Sequence, residues 1–194
     1  LWFQRISYVG ELGWEIYIPF QNAKQIYELI VKFEKKFNLV HAGAHSMDIM
    51  RMEKGYLHWG HDISSAETPY EAGLGFAVKL NKKVDFIGKK YLIKNRKNNK
   101  KKLLMFELID SSPGNPLLLH DEPIYYNGEI IGETTSGNYS FNYNKNITFG
   151  YISNNLNIDL VNKKLFEIEV AKKKYKAAIL NQPVHDPDNN FMKE

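Results

Sequence analysis

Apolar and polar positions alternate from Phe3 to Val9, the pattern of a half-buried strand, and Gly10-Glu11-Leu12-Gly13 interrupts it as a turn. A second short strand, Trp14 to Pro19, follows at once, so the pair reads as a hairpin. From Asn22, a candidate N-cap, the period changes: Ile26, Leu29, Ile30 and Phe33 recur at helical spacing up to about Phe37. Lys32, Lys35 and Lys36 lie towards the C-terminal end, where the helix dipole favours cations. Ser46 opens a second amphipathic helix that stops at Gly55, and Asp85 reads as the cap of a third, Phe86 to about Lys94. A hairpin followed by helices predicts an α+β layer.

Beyond Lys102 helical spacing disappears. Short apolar runs at Leu103–Ile109, Ile124–Tyr126, Ile130–Thr135, Thr148–Ile152, Leu165–Val170 and Tyr175–Leu180 predict six strands. Asn127-Gly128 between two of them is a hairpin turn signal. Six short strands of this kind predict a small barrel or sandwich. The expected division is therefore 1–92 as one domain, 93–101 as a linker and 102–194 as a β-barrel.

Composition narrows the chemistry. The 194 residues are 43% hydrophobic, enough for a packed core, and no apolar run has the length of a membrane span. The absence of cysteine excludes disulfides, thiolate nucleophiles and cysteine-based metal centres. Net charge is +4, yet residues 81–102 alone carry ten Lys or Arg against the single acid Asp85. The excess is thus concentrated around one Lys/Asn-rich connector, which reads as a solvated linker, and nucleic acid is not an expected partner. Leu1 opens on what reads as a strand already in progress, so the chain is expected to be a fragment of a longer protein.

Common catalytic signatures are missing: there is no GxGxxG after a strand, no P-loop and no HExxH. His58-Trp59-Gly60-His61-Asp62 offers two imidazoles and a carboxylate without an obvious further ligand, and is expected to be a hydrogen-bonded turn that holds no metal. Tyr8 and Glu15 sit on opposite arms of the expected hairpin, where their side chains could converge. A carboxylate beside aromatic faces suits a flat heterocycle that presents adjacent N–H donors, as a pterin does. From spacing alone the simpler reading is a surface strand in which Glu15 pairs with a lysine and Tyr8 packs in the core.

Four strings together carry a family resemblance: Tyr8-Val9-Gly10-Glu11-Leu12-Gly13-Trp14-Glu15, Arg51-Met52-Glu53-Lys54-Gly55-Tyr56, His58-Trp59-Gly60-His61-Asp62, and Thr68-Pro69 through Glu71-Ala72-Gly73-Leu74. With Asp85-Phe86-Ile87-Gly88, Thr135-Ser136-Gly137 and the terminal Gln182-Pro183-Val184-His185-Asp186-Pro187, the chain resembles the tetrahydrofolate-binding fold of the glycine-cleavage T-protein (aminomethyltransferase) family, nearest to the folate domain of dimethylglycine and sarcosine dehydrogenases. The resemblance implies an α+β fold: the second half of a folate-binding core, a ferredoxin-like sheet with helices, followed by a small C-terminal β-barrel.

It implies tetrahydrofolate as cofactor, with Tyr8 and Glu15 as the folate contacts and Glu15 holding the pterin. No catalytic residue is expected in the fragment itself, since the family's aspartate near the reacting folate nitrogens lies upstream. A dehydrogenase would carry FAD upstream too. The expected substrate is a small methylamine, in the cytoplasm or, in a eukaryote, the mitochondrial matrix. Two positions depart from the family pattern: Met47 stands where an arginine is usual, which argues against a glycine-cleavage T-protein proper, and His185 where the terminal pattern has tyrosine. The alternatives are a stand-alone aminomethyltransferase or related folate-dependent methyltransferase, and a non-enzymatic folate-binding protein.

Overall fold

The computed structural model describes residues 1–155 and 166–193. The chain forms two compact units, Leu1–Tyr56 with Val184–Glu194, and Leu57–Pro183.

The first unit begins with a two-stranded antiparallel sheet, β1 (Trp2–Gln4) and β2 (Glu15–Tyr17), in the register Trp2↔Tyr17, Phe3↔Ile16 and Gln4↔Glu15. β1 ends before Tyr8, where the alternation predicted continued pairing. The Ser7 hydroxyl accepts the Val9 N–H at 3.3 Å, a local bond that competes with a ladder, and Gly10 adopts φ +79°. The first helix is also shorter than its periodicity. A 3₁₀ turn at Phe20–Asn22 leads into α1 (Ala23–Val31), and the chain kinks at Lys32-Phe33 before the single turn α2 (Glu34–Phe37). Asn22 stands at the N-cap, but its side chain makes no capping bond. No residue of β1, β2, α1 or α2 is buried, and Phe20 is 95% exposed.

α3 (Ala44–Glu53) starts two residues before Ser46, because the extended Gly43 serves as the cap and its carbonyl accepts the N–H groups of Ser46 and Met47. The stop at Gly55 holds. Gly55 takes φ +79°, its N–H donates to Met52 O, and Tyr56 N–H donates to Arg51 O, the paired bonds of a Schellman motif.

In the second unit the six expected strands are all present, as β3 (Lys101–Leu108), β4 (Pro123–Tyr126), β5 (Glu129–Ser140), β6 (Lys145–Ser153), β7 (Phe166–Val170) and β8 (Lys173–Leu180). They close into a barrel in the order β3-β6-β5-β4-β7-β8, every pair antiparallel. Leu165, the expected first residue of the fifth barrel strand, lies outside the described residues. Asn127 and Gly128 both take positive φ between β4 and β5, as a two-residue hairpin turn requires. The core is Phe106, Leu108, Leu118, Ile124, Ile152, Phe166, Ile168 and Ala177. No described helix is long and apolar enough to cross a membrane.

These units divide the chain at other points than the Lys/Asn connector. α4 (Lys89–Asn95), which begins after the left-handed Gly88 rather than at Asp85, lies in the second unit with the barrel. So does the irregular stretch before it, and carboxylates show why. Glu71 Oε2 accepts the N–H and hydroxyl of Thr68, while its Oε1 accepts the N–H of Lys100. The Glu71 carbonyl accepts Leu103 N–H, and Lys101 Nζ lies 2.7 Å from Glu67 Oε1. Burial alone would raise the Glu71 pKa, but the bonds from Thr68 and the Lys100 and Lys101 N–H groups outweigh it and hold the pKa below the ordinary value.

One barrel contact predicts a titration. Tyr143 donates its hydroxyl to Glu107 Oε2 at 2.7 Å, and Lys145 Nζ reaches the same oxygen at 2.7 Å. The bond to Glu107, then burial, then the Glu107 charge push the Tyr143 pKa up to about 12. Because the folded pKa is raised, the stabilisation is present at neutral pH and is lost only as pH rises towards 12. Comparing tyrosinate absorbance of wild type and Tyr143→Phe should remove one late-ionising phenol. Loss of one that titrates near the ordinary pKa of about 10 would contradict the assignment.

Candidate functional site

Of the residues singled out by sequence, Tyr8 and Glu15 both lie in the first unit. Glu15 opens β2 opposite Gln4, exposed, and its Oε2 accepts the Tyr17 hydroxyl at 2.5 Å. That bond, followed by the Glu15 charge, raises the Tyr17 pKa. Trp2 pairs with Tyr17 across the sheet, so the carboxylate stands beside an aromatic surface. Tyr8 is not on a strand facing Glu15, as the hairpin reading had it. It lies half-buried in the loop between β1 and β2, and its ring stacks on Tyr56 with centroids 6.4 Å apart and planes 14° from parallel.

The end of α3 supports that loop. Arg51, Met52, Glu53 and Lys54 are all buried, an unusual run for three charged residues, and Arg51 is 1% exposed. Arg51 Nε and Nη2 both donate to Asp48 Oδ1, at 2.9 and 2.8 Å, and Nη1 donates to the Tyr56 carbonyl. Gly10 packs directly on the stem of Lys54: a Cβ there would lie 2.7 Å from Lys54 Cδ. Lys54 Nζ donates to Asp186 Oδ2 at 2.8 Å and also to the Asp186 carbonyl, and both side chains are 2% exposed. His185 N–H donates to the Glu53 carbonyl, and His185 Nε2 lies 2.8 Å from Glu11 Oε1. The latter is an ion-pair distance for a protonated imidazole, without the alignment of a hydrogen bond.

Periodicity could not find Lys54 and Asp186, which meet across 132 residues. The signal available was the cluster Arg51-Met52-Glu53-Lys54 itself, three charges where a helix was expected to pack. Met47 lies on α3, 45% exposed.

The histidine string belongs to the second unit. Asp62, buried, accepts the His58 N–H at 2.8 Å and the Thr135 hydroxyl at 2.6 Å, so the carboxylate rather than the imidazoles fastens the turn. The His58 and His61 rings lie 4.5 Å apart. Among the described residues no group of three or more His, Cys, Asp or Glu could hold a metal ion.

Comparison with known proteins fits this arrangement. Residues 1–82 match the family model "GCVT N-terminal domain", and residues 101–186 match "Glycine cleavage T-protein C-terminal barrel domain". The chain is 34% identical over 180 residues to the mitochondrial dimethylglycine dehydrogenase of Homo sapiens, covering 93% of this chain and 20% of that protein. It is 36% identical over 183 residues to an aminomethyltransferase of Bacillus licheniformis, covering 93% of this chain and 48% of the relative. The crystal structure of glycine cleavage system aminomethyltransferase T from Bartonella henselae superposes with a TM-score of 0.80 at 23% identity, over 95% of this chain and 50% of that one. The chain thus spans from about a fifth to about half the length of these proteins. With the two family models covering its front and its barrel in order, the chain belongs to the glycine-cleavage T-protein family.

Proposed function

We propose that this chain is the tetrahydrofolate-binding part of a flavin-dependent N-demethylating dehydrogenase of the dimethylglycine or sarcosine type. The observation that carries the folate reading is the Glu15 carboxylate. It is exposed, stands beside Trp2 and Tyr17, and has one oxygen, Oε1, with no partner among the described residues. An ionised carboxylate only accepts hydrogen bonds, and the pterin edge offers a ring N–H and an exocyclic amine side by side. Tyr8 supplies an aromatic face nearby in sequence, fixed by its stack on Tyr56. Bound tetrahydrofolate would accept the one-carbon unit released when the amine is oxidised; the chain's own residues bind and orient it.

The dehydrogenase reading draws support from the identity to dimethylglycine dehydrogenase along nearly the whole chain, and from Met47 in place of the family arginine. The unburied faces of β1, β2, α1 and α2 suit a domain whose remaining half lies elsewhere in a longer protein. FAD would sit in that other part, and the cytoplasm or mitochondrial matrix is the proposed location. The second reading, a stand-alone aminomethyltransferase, is favoured by the Bacillus licheniformis relative, of which the chain covers 48%.

The test uses the full-length protein supplied with dimethylglycine or sarcosine, with and without tetrahydrofolate. Amine oxidation that yields free formaldehyde alone, and methylene-tetrahydrofolate when folate is added, is expected. A protein that binds no flavin and moves a one-carbon unit only from an aminomethyl donor would be the aminomethyltransferase instead. Absence of tetrahydrofolate binding by calorimetry would end both readings.

A further inference from the structure

We infer that the C-terminal tail, Val184 to Lys193, is a positioning part of the folate site: Asp186 acting through Lys54, and His185 acting on Glu11, hold the loop that presents Tyr8. The inference rests on the folate reading above. The loop between β1 and β2 has no ladder of its own beyond Gln4↔Glu15, so apart from the local Ser7–Val9 bond its packing contacts help set its shape. Three of its contacts lead to the tail. Gly10 lies on the Lys54 stem, whose ammonium is gripped by the Asp186 carboxylate and carbonyl. Tyr8 stacks on Tyr56, whose hydroxyl donates to Met192 Sδ at 3.3 Å. Glu11 lies 2.8 Å from His185.

The tail is itself a closed turn, which makes it a firm anchor. Asp186 Oδ1 accepts Asn190 N–H at 2.6 Å, its carbonyl accepts Asn189 N–H, and the His185 ring stacks on Phe191 at 5.9 Å and 6°. A buried ion pair such as Lys54–Asp186 is a poor source of net stability, because desolvating both charges offsets their attraction; what it supplies is a defined geometry. Here that geometry fixes where the Lys54 stem meets Gly10. A side chain larger than hydrogen at Gly10 has no room, so the loop seats on Lys54 in one way.

The experiment measures tetrahydrofolate binding and steady-state kinetics in full-length Asp186→Asn and His185→Phe, with His185→Gln as the conservative partner that keeps a polar side chain beside Glu11. Loss of preorganisation at one aromatic contact predicts that Asp186→Asn and His185→Phe each raise Kd and KM for tetrahydrofolate by about tenfold. The rate at saturating folate should stay near wild type, and His185→Gln should bind nearly as wild type does. Lys54→Met/Asp186→Asn should bind no worse than Asp186→Asn alone, since both changes break one link. If Asp186→Asn does not fold, His185→Phe and Tyr56→Phe decide the matter, with the same KM rise expected. Unchanged KM in the folded tail variants, or a fall in maximal rate and melting temperature without a KM change, overturns the inference. Where wild type binds tetrahydrofolate and Glu15→Gln weakens it while the tail variants do not, only this inference fails; where wild type binds none, the folate reading fails with it.

Discussion

Glu15→Gln in the full-length protein should lower tetrahydrofolate affinity about tenfold to hundredfold, roughly 1.4–2.7 kcal/mol. The substitution keeps the shape of the side chain but replaces one acceptor oxygen with an NH₂ that opposes the donors of the pterin edge. A charge-assisted bond is typically worth about 1.5–3 kcal/mol, so the expected loss corresponds to one such bond. Tyr17 can still donate to the amide oxygen, which keeps the local structure of β2. Glu28→Gln is the matched control, since Glu28 is an exposed α1 residue whose 3.8 Å contact with Lys24 contributes little. Glu11 would not serve, because it lies against His185. Calorimetric titration of both variants checks the prediction. Equal loss in the two, or none in Glu15→Gln, would remove Glu15 from the site.

The second large effect is on the barrel. Phe166 on β7 is 0% exposed and meets Phe106 edge-on at 5.5 Å and Tyr126 at 5.1 Å. Phe166→Ala removes buried apolar surface and leaves a cavity among strands that closure prevents from collapsing freely. The expected cost is about 3–5 kcal/mol, a large share of the 5–15 kcal/mol typical of a whole domain. Phe141→Ala makes the same chemical change at a residue that is 70% exposed beyond the end of β5, and should cost far less. Urea unfolding monitored by circular dichroism separates them. A difference below about 1 kcal/mol would mean that the barrel core repacks around the cavity.

What the sequence made legible depended on how local the governing interaction is. The six barrel strands were found because each is a short apolar run flanked by turn residues, and the β4–β5 turn because Asn127 and Gly128 tolerate positive φ. The stop of α3 at Gly55 was readable for the same reason. Helix starts are only partly so: Asn22 does stand at the N-cap of α1, whereas Gly43 and Gly88, not Ser46 and Asp85, take the flanking positions of α3 and α4 through their backbone alone. Alternation places Tyr8 on a strand because it cannot register that Val9 N–H bonds back to the Ser7 hydroxyl. The tail's role was invisible in principle, since Lys54 and Asp186 are joined only by the fold. The family resemblance pointed to Tyr8 and Glu15; the structure adds what holds the first of them in place.

Barrel closure has a consequence for how this protein is made. β3 pairs with β8, so Met105 meets Leu180 and the ring cannot shut until the last strand has left the ribosome. Until then β3 presents an unpaired edge of backbone donors and acceptors, the surface on which nascent chains pair wrongly with one another. Contacts between such distant positions also slow folding. A chain truncated before Lys173 would lack β8 altogether, leaving two open edges on β3 and β7 and a strong tendency to aggregate during synthesis, however well its other five strands were formed.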